Sequence, residues 1–431
     1  MSQNLDDYRT KHLFLLIGSN PLPNLVAARL LAKPNATVWL LHSDGADGEP
    51  STGQAAVWLR NVLLRKRLDL NEDDVKLEPM PSADDLEIYN RIHNLVRNLE
   101  GDVGLNYTGG TKPMSVHTYR TMEKELADRI PKPVFSYLDP RKLALRIDRQ
   151  GAKRGETFYI LKEAALRQEV ETTLDELAAL HGYEPAQSEE WAEAEKTPGL
   201  RELCAAIAKV HSQSEGMTQW RKWMNQVKFM ALPDVDLYPE LGPFCDRLDS
   251  LLGGTEAEKP GKMAALLRPN DRVPTLVNCS KWFIGGWLEE HCLAYIRDLA
   301  PEFGIKSCGR GLNYQPSDDK ESSGKVHRQK DNTLNLDAAA MIGYQLFAIS
   351  CCATTSKERA KEHLFEIYVR ARQLGGDEAR IGLVCCFDDP PLLQKEIARQ
   401  WDVQGKLRVF GRDDLVDLRT AFAEWFATAN P

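Results

Sequence analysis

Asn106–Ser115 reads NYTGGTKPMS, and the reading of the whole chain turns on what flanks it. DVGLNYTGG, from Asp102, has the look of a strand ending in glycines, and PMSVHTYRTMEKELAD after it has helical spacing. Pro113 falls in the first turn of that helix, where its missing N–H costs nothing. Strand, glycine turn and helix in this order aim backbone N–H groups and the positive end of a helix dipole at one spot. Gly109 and Gly110 let a ligand come close to the backbone. Thr108 and Thr111 offer hydroxyls, and Lys112 a compact cation suited to phosphate. The spacing is not G-x-x-x-x-G-K-[ST], so this is no nucleoside-triphosphate loop. The stretch predicts an anion cradle; the plainer alternative is a glycine turn with a solvated lysine.

Working outward, residues 12–150 alternate strand and helix signals. HLFLLIG (12–18) and ATVWLLHS (36–43) are continuous apolar runs, as strands buried on both faces require. NLVAARLLA (24–32) reads as a helix between them, and TGQAAVWLRNVLLRKRL (52–68) as a helix after the second. In SADDLEIYNRIHNLVRNLE, Leu86, Tyr89, Ile92, Val96 and Leu99 recur at helical spacing behind a capping-box pattern at Ser82 and Asp85. KPVFSYL and KLALRID close the unit with two β-rich runs. Repeated βα units specify a Rossmann-like open sheet over 1–150, whose ligands bind beyond the carboxyl ends of the strands. Gly18, Ser19 and Asn20 after the first strand, and His42 and Ser43 after the second, share that crevice with the glycine stretch.

Residues 151–265 change character. TTLDELAALHGY, LRELCAAIAKVH and TQWRKWMNQVKFM predict a small, mainly helical middle domain, bounded by the Gly- and Pro-rich segment Gly253–Pro274. Trp220 and Trp223 alternate with Arg221 and Lys222, a stacking-plus-charge pattern, but their helical spacing with Val227 favours core packing. Residues 266–431 are α/β again. A helix over KWFIGGWLEEHCLAYIRDLA precedes a polar stretch, Tyr314–Lys330, in which His327 and Arg328 are candidate nucleic-acid contacts. Paired strands follow over TLNLDAAAMIGYQLFAISCC, then the helix SKERAKEHLFEIYVRARQLGG, the buried strand ARIGLVCCF, and a last strand and helix.

The 431 residues are 42% apolar and 27% charged, the proportions of an ordinary globular chain. No apolar run approaches the ~18 residues of a membrane span, and the N-terminus has no cleavage-site pattern. The nine cysteines include two adjacent pairs and no C-x-x-C, which favours reduced thiols in a cytoplasmic protein over disulfides or structural zinc. A net charge of −8 argues against a broad polyanion-binding coat and leaves room for a local basic groove.

NYTGGTKPM after a strand, with LIGSNP at the end of the first strand and SYLD further on, resembles the CARF (CRISPR-associated Rossmann fold) family. That resemblance implies a homodimer with a cyclic oligoadenylate held across its two-fold cleft, the tetra-adenylate favoured. The ligand would be held by Gly18, Ser19, Asn20, His42, Thr108, Gly109, Gly110, Thr111 and Lys112. GGWLEEHC, NLDAAAMIGYQLFAISC and RARQLGGDEARIGLV resemble the nuclease half of the CARF-linked PD-(D/E)xK nucleases of type III CRISPR defence. This implies a restriction-endonuclease-like α/β domain whose acidic strand residue and following Glu-x-Lys converge on Mg²⁺ or Mn²⁺. The implied activity is ligand-activated cleavage of single-stranded DNA or RNA.

Asp337 fits the first acidic position, and Glu289 or Glu290 a helical carboxylate that joins it on the metal. The Glu-x-Lys is absent: Ser350 and Cys352 stand where its two residues are sought, and a thiol does not replace a carboxylate on a hard cation. Either catalytic groups have moved to the next helix, with Lys357 or Lys361 in place of the lysine and Glu366 beside them, or the domain only grips nucleic acid or a protein partner. The plain reading of that helix is a solvated face laced with i,i+4 ion pairs. A third use is cleavage of the cyclic oligoadenylate by the first domain itself, with Lys112 stabilising the transition state.

Overall fold

The computed structural model describes residues 4–45, 50–65, 68–148, 155–186, 191–227, 237–317 and 333–429. Seven strands make the first sheet: β1 (Thr10–Leu16), β2 (Ala32–Ser43), β3 (Val75–Met80), β4 (Val103–Asn106), β5 (Val134–Asp139), β6 (Ala144–Asp148) and β7 (Glu156–Tyr159). Their order is β3-β2-β1-β4-β5-β6-β7; β1 to β5 run parallel, and β6 and β7 add an antiparallel edge past residue 150. The apolar run in β1 serves both faces. Leu13 and Leu15 join one core layer and Phe14 and Leu16 the other, as the twofold period of a strand requires.

The order reverses at β1, which lies between β2 and β4. That is the switch point of an open α/β sheet, where the loops after two adjacent strands part and leave a crevice. The loops that leave β1 and β4 at this point are Gly18–Pro21 and Tyr107–Thr111. The helix after β3 begins two residues later than the capping-box pattern proposed: Asp84, not Ser82, is its cap, accepting from the Glu87 N–H at 2.8 Å.

The second sheet has six strands: β8 (Tyr183–Pro185), β9 (Ile305–Pro316), β10 (Leu334–Ile342), β11 (Gln345–Cys352), β12 (Arg380–Cys385) and β13 (Leu407–Phe410). The order is β13-β12-β11-β10-β9-β8, antiparallel from β8 to β11 and parallel from β11 to β13. The polar-looking stretch that starts at Tyr314 begins inside β9, while His327 and Arg328 lie outside the described residues. The middle segment donates β8 to this sheet, and its helices Leu200–His211 and Gly216–Val227 share a core with the helix Trp287–Phe303 and one face of the second sheet. Trp220 and Trp223 are buried there, so core packing claims both. The opposite face, with Leu346 and Ala348 of β11, shares a second core with the first sheet. Both sheets are therefore locked to one apolar layer.

All nine cysteines are unpaired, and seven are buried. Among the described residues no helix is long and apolar enough to cross a membrane.

Candidate functional site

The glycine stretch after β4 sits against the loop after β1. A Cβ on Gly109 would collide with the Leu16 carbonyl and lie 2.7 Å from the Gly18 nitrogen. Gly110 has φ 76°, in the left-handed region that favours glycine. Both glycines are thus required for the two loops to touch. Thr111 caps the helix Lys112–Glu125: its hydroxyl accepts from the Met114 N–H at 3.2 Å and donates to the Ser82 carbonyl at 2.6 Å. Thr108 donates to Asn106 Oδ1 at 2.7 Å and accepts from the Leu138 N–H at 2.8 Å. The two threonines, expected as ligand contacts, are committed to building the loop.

What faces outward is main chain. The N–H groups of Gly109, Gly110, Thr111 and Lys112 find no acceptor among the described residues, and they stand at the positive end of a 14-residue helix. Lys112 is exposed. Ser19 is exposed beside them, and Asn20 Oδ1 accepts from the Leu22 N–H at 3.0 Å. His42, half-buried at the end of β2, hydrogen-bonds through Nδ1 with the Ser43 carbonyl at 3.2 Å. Four consecutive unmet donors, a helix N-terminus and a lysine without an acidic partner among the described residues are groups that can receive an anion.

The acidic residues of the second sheet divide. Asp337 on β10 lies where β10 and β11 splay apart. Its Oδ2 accepts from the Ser350 hydroxyl and from the Cys351 N–H, each at 2.8 Å. Glu289, from the helix Trp287–Phe303, and Asp337 line one cleft of about 830 Å³. Gly311, at φ 53° in β9, lies beside the Glu289 carboxylate: a Cβ there would make ordinary contact with its Oε2, at 3.5 Å. Burial, and then the nearby Asp337 charge, push the Glu289 carboxyl up to about 7. Glu290, the other acid expected on the metal, is instead fully buried, paired with Arg310 and accepting from the Ala194 N–H at 2.6 Å. It ties the middle segment to β9 and does not line the cleft.

Asp337 and Glu289 are hard oxygen donors of the kind Mg²⁺ or Mn²⁺ accept alongside water and substrate oxygens. Burial first and the Asp337 charge second raise the Glu289 carboxyl, and a divalent ion between the two would favour its ionised form. The pair therefore fits such an ion, with two protein ligands. Among the described residues no group of three or more His, Cys, Asp or Glu side chains could hold one.

The groups proposed to have moved onto the next helix do not join this pair. Lys357 and Lys361 both reach Glu396 on the neighbouring helix, at 2.7 and 2.5 Å, and neither lines the cleft. Glu366 pairs with Arg370 one turn on, as the plain reading of a charged helix face expects, and Arg370 also donates to the Asn335 carbonyl at 2.6 Å. The residue of this helix that does approach Asp337 is His363. Its Nδ1 lies 3.2 Å from the Ser350 oxygen, which gives its own proton to Asp337. The sequence carried one trace of this arrangement: His363 lies three residues past Ala360 and one before Leu364, both of which the helix buries.

These elements define an α/β protein in which a Rossmann-like domain is joined to a second α/β domain built on a mixed six-stranded sheet. Solved structures similar over nearly the whole chain include VC1899 from Vibrio cholerae, at TM-score 0.67 and 14% identity, covering 97% of this chain and 98% of that one. Can2 from Sulfobacillus thermosulfidooxidans, solved in complex with cyclic tetra-adenylate, is similar at TM-score 0.64 and 14% identity, covering 98% of this chain and 99% of that one. At such identity the likeness is one of fold. No family model and no curated protein matches the chain.

Proposed function

We propose that the chain is a cytoplasmic effector of type III CRISPR antiviral defence that senses a cyclic oligoadenylate with its first sheet and acts on nucleic acid with its second. The observation that carries the reading is the row of unmet N–H donors from Gly109 to Lys112 at the switch point of the sheet. A cyclic tetra-adenylate presents phosphodiesters around a symmetric ring, which suits two copies of this cradle across the two-fold axis of a homodimer. The similar fold of Can2, solved with that ring bound, supports the same ligand here.

The effector step we assign is metal-dependent cleavage of single-stranded DNA or RNA. Asp337 and Glu289 would hold Mg²⁺ or Mn²⁺, which when bound polarises the phosphate and activates water. Ser350 and the Cys351 N–H fix the Asp337 carboxylate by occupying Oδ2, so that Oδ1 is the oxygen left for the cleft.

A route between the two sites is built into one element. The helix Lys357–Gly375 places His363 against Ser350 near one end. At the other it runs into Gly376, where a Cβ would collide with the Asn20 amide of the sensing loop. Nineteen residues of helix span roughly 28 Å as a rigid rod. Ligand at the cradle can bias the cleft only by favouring one of two positions of such an element.

The test is a labelled single strand with Mn²⁺, with and without cyclic tetra-adenylate. Cleavage should require the ring and fall in Asp337→Ala by at least the roughly 100-fold that losing an outer partner of a metal site already costs. A second reading has its own observation: Lys357 and Lys361 are engaged by Glu396, and Lys196, the lysine that lines the Asp337 cleft among the described residues, is paired with Glu193. Ring binding without cleavage of any polymer would make the second sheet a binding module. Disappearance of the ring itself would make the first sheet the nuclease, with Lys112 at its centre.

A further inference from the structure

A second cleft, of about 530 Å³, lies between the helix Pro390–Trp401 and the edge strand β13. Lys395 and Arg399 of the helix and Arg408 of the strand line it together. None of the three has an acidic partner among the described residues, whereas Lys357 and Lys361 close by are both neutralised by Glu396. Arg408 is half-buried, with its guanidinium carbon 5.6 Å from the centre of the Phe410 ring and its Nε shut away from water without a hydrogen-bond partner. The one acid on the rim, Asp414, is held by the Gly411 N–H at 2.7 Å. In a chain of net charge −8, three cations against one carboxylate on a single cavity make a locally basic site.

The lining also says which anion. No aromatic side chain faces the cavity and its apolar walls are Pro390, Pro391, Ala398 and Val409, so there is no platform on which a base could stack. Gln394 Oε1 accepts from the Val409 N–H at 3.0 Å, which blocks the edge of β13 against an added peptide strand. Two arginines and a lysine are the donors of phosphate recognition. Val409 pairs with Leu383 and Leu383 with Ser350, and Ser350 bonds to Asp337. The cavity and Asp337 thus lie on one row across the sheet. Three strand spacings separate them, roughly 14 Å, a gap that a few nucleotides bridge.

We propose that this cleft is a phosphate-backbone subsite that holds a single nucleic-acid strand outside the Asp337–Glu289 cleft, a role that rests on the second sheet acting on nucleic acid. It needs no base contact and so no sequence preference.

The experiment measures binding of a labelled single strand of about 20 nucleotides and of a trinucleotide to the full chain in EDTA, over a range of salt. The double variant Lys395→Glu/Arg399→Glu and the single variant Arg408→Ala are compared with the parent. The double variant should bind the long strand about tenfold more weakly. Its slope of log affinity against log salt should be shallower by about 1.4, since each phosphate contact on a single strand contributes about 0.7. Trinucleotide binding, melting temperature and affinity for cyclic tetra-adenylate should not change. Arg408→Ala, which reverses no charge, guards against a misfolded double variant and should lower the slope by about half as much.

Unchanged strand affinity and slope in both variants overturn the proposal, as does a parent that binds no strand. Tripolyphosphate distinguishes the sources of phosphate. If it raises the melting temperature of the parent and not of the variants while strand binding stays equal, the cavity takes free phosphate chains and the proposal falls. A parent that binds the strand through this cleft yet never cuts it keeps the subsite and sinks only the nuclease reading.

Discussion

Lys112 is the residue whose role reads most directly. It is exposed, has no ion-pair partner among the described residues and stands at the first position of a helix, its own N–H the last of the four unmet donors. Lys112→Ala should therefore leave the melting temperature unchanged and weaken calorimetric binding of cyclic tetra-adenylate about tenfold, the scale of one charge-assisted hydrogen bond. Equal affinity in the variant would move the phosphate elsewhere. The pair Glu289 and Glu290 carries the opposite lesson. One helical step of about 100° sends the first into the cleft and the second into the core. Sequence could name both and not choose, because Arg310 and the Ala194 N–H, which take Glu290, come from distant segments.

At the scale of elements, the turn after the helix Lys357–Gly375 holds a buried acid. Glu378 is 3% exposed, and burial pushes its carboxyl up to about 7; the Asp377 charge adds to this, and Lys406 and Arg380 oppose it. The folded state therefore keeps a proton that the unfolded chain gives up near 4.5, so stability is highest below that value and is lost as pH rises through 7. Glu378→Gln should raise the melting temperature at pH 8, removing at most ~3 kcal/mol of penalty, and should leave it nearly unchanged at pH 5. A variant no more stable than the parent at pH 8 would mean the carboxyl ionises freely. The same helix explains why the nuclease signature could not be completed from spacing. Its lysines turn toward Glu396, and a histidine three residues from a buried alanine is what reaches Ser350.

For the whole molecule the decisive feature is that both sheets share one apolar layer, so a shift in one is felt by the other because packed interiors do not deform gradually. Gly376, at φ 61° and against Asn20, is the point where the sensing loop meets the second sheet's longest helix. Gly376→Ala should cost ~1–2 kcal/mol of stability from strain at a left-handed position. It should leave cyclic tetra-adenylate binding within about twofold and reduce the ring-dependent part of strand cleavage. Normal activation in a folded Gly376→Ala protein would remove this contact from the route.

The sequence by itself determined the alternation of strands and helices, the glycine cradle after β4 and the α/β class of both ends, because each depends on local period and on backbone freedom at single glycines. It also named Asp337 as a candidate, on the charge and strand position of that residue alone. The tertiary structure alone decided that Glu289 rather than Glu290 shares the cleft, that Ser350 and His363 support Asp337, and that the middle segment completes a sheet and a core it does not own. Those outcomes depend on strand register and on which helix faces meet, and both are set by contacts between residues far apart in the chain.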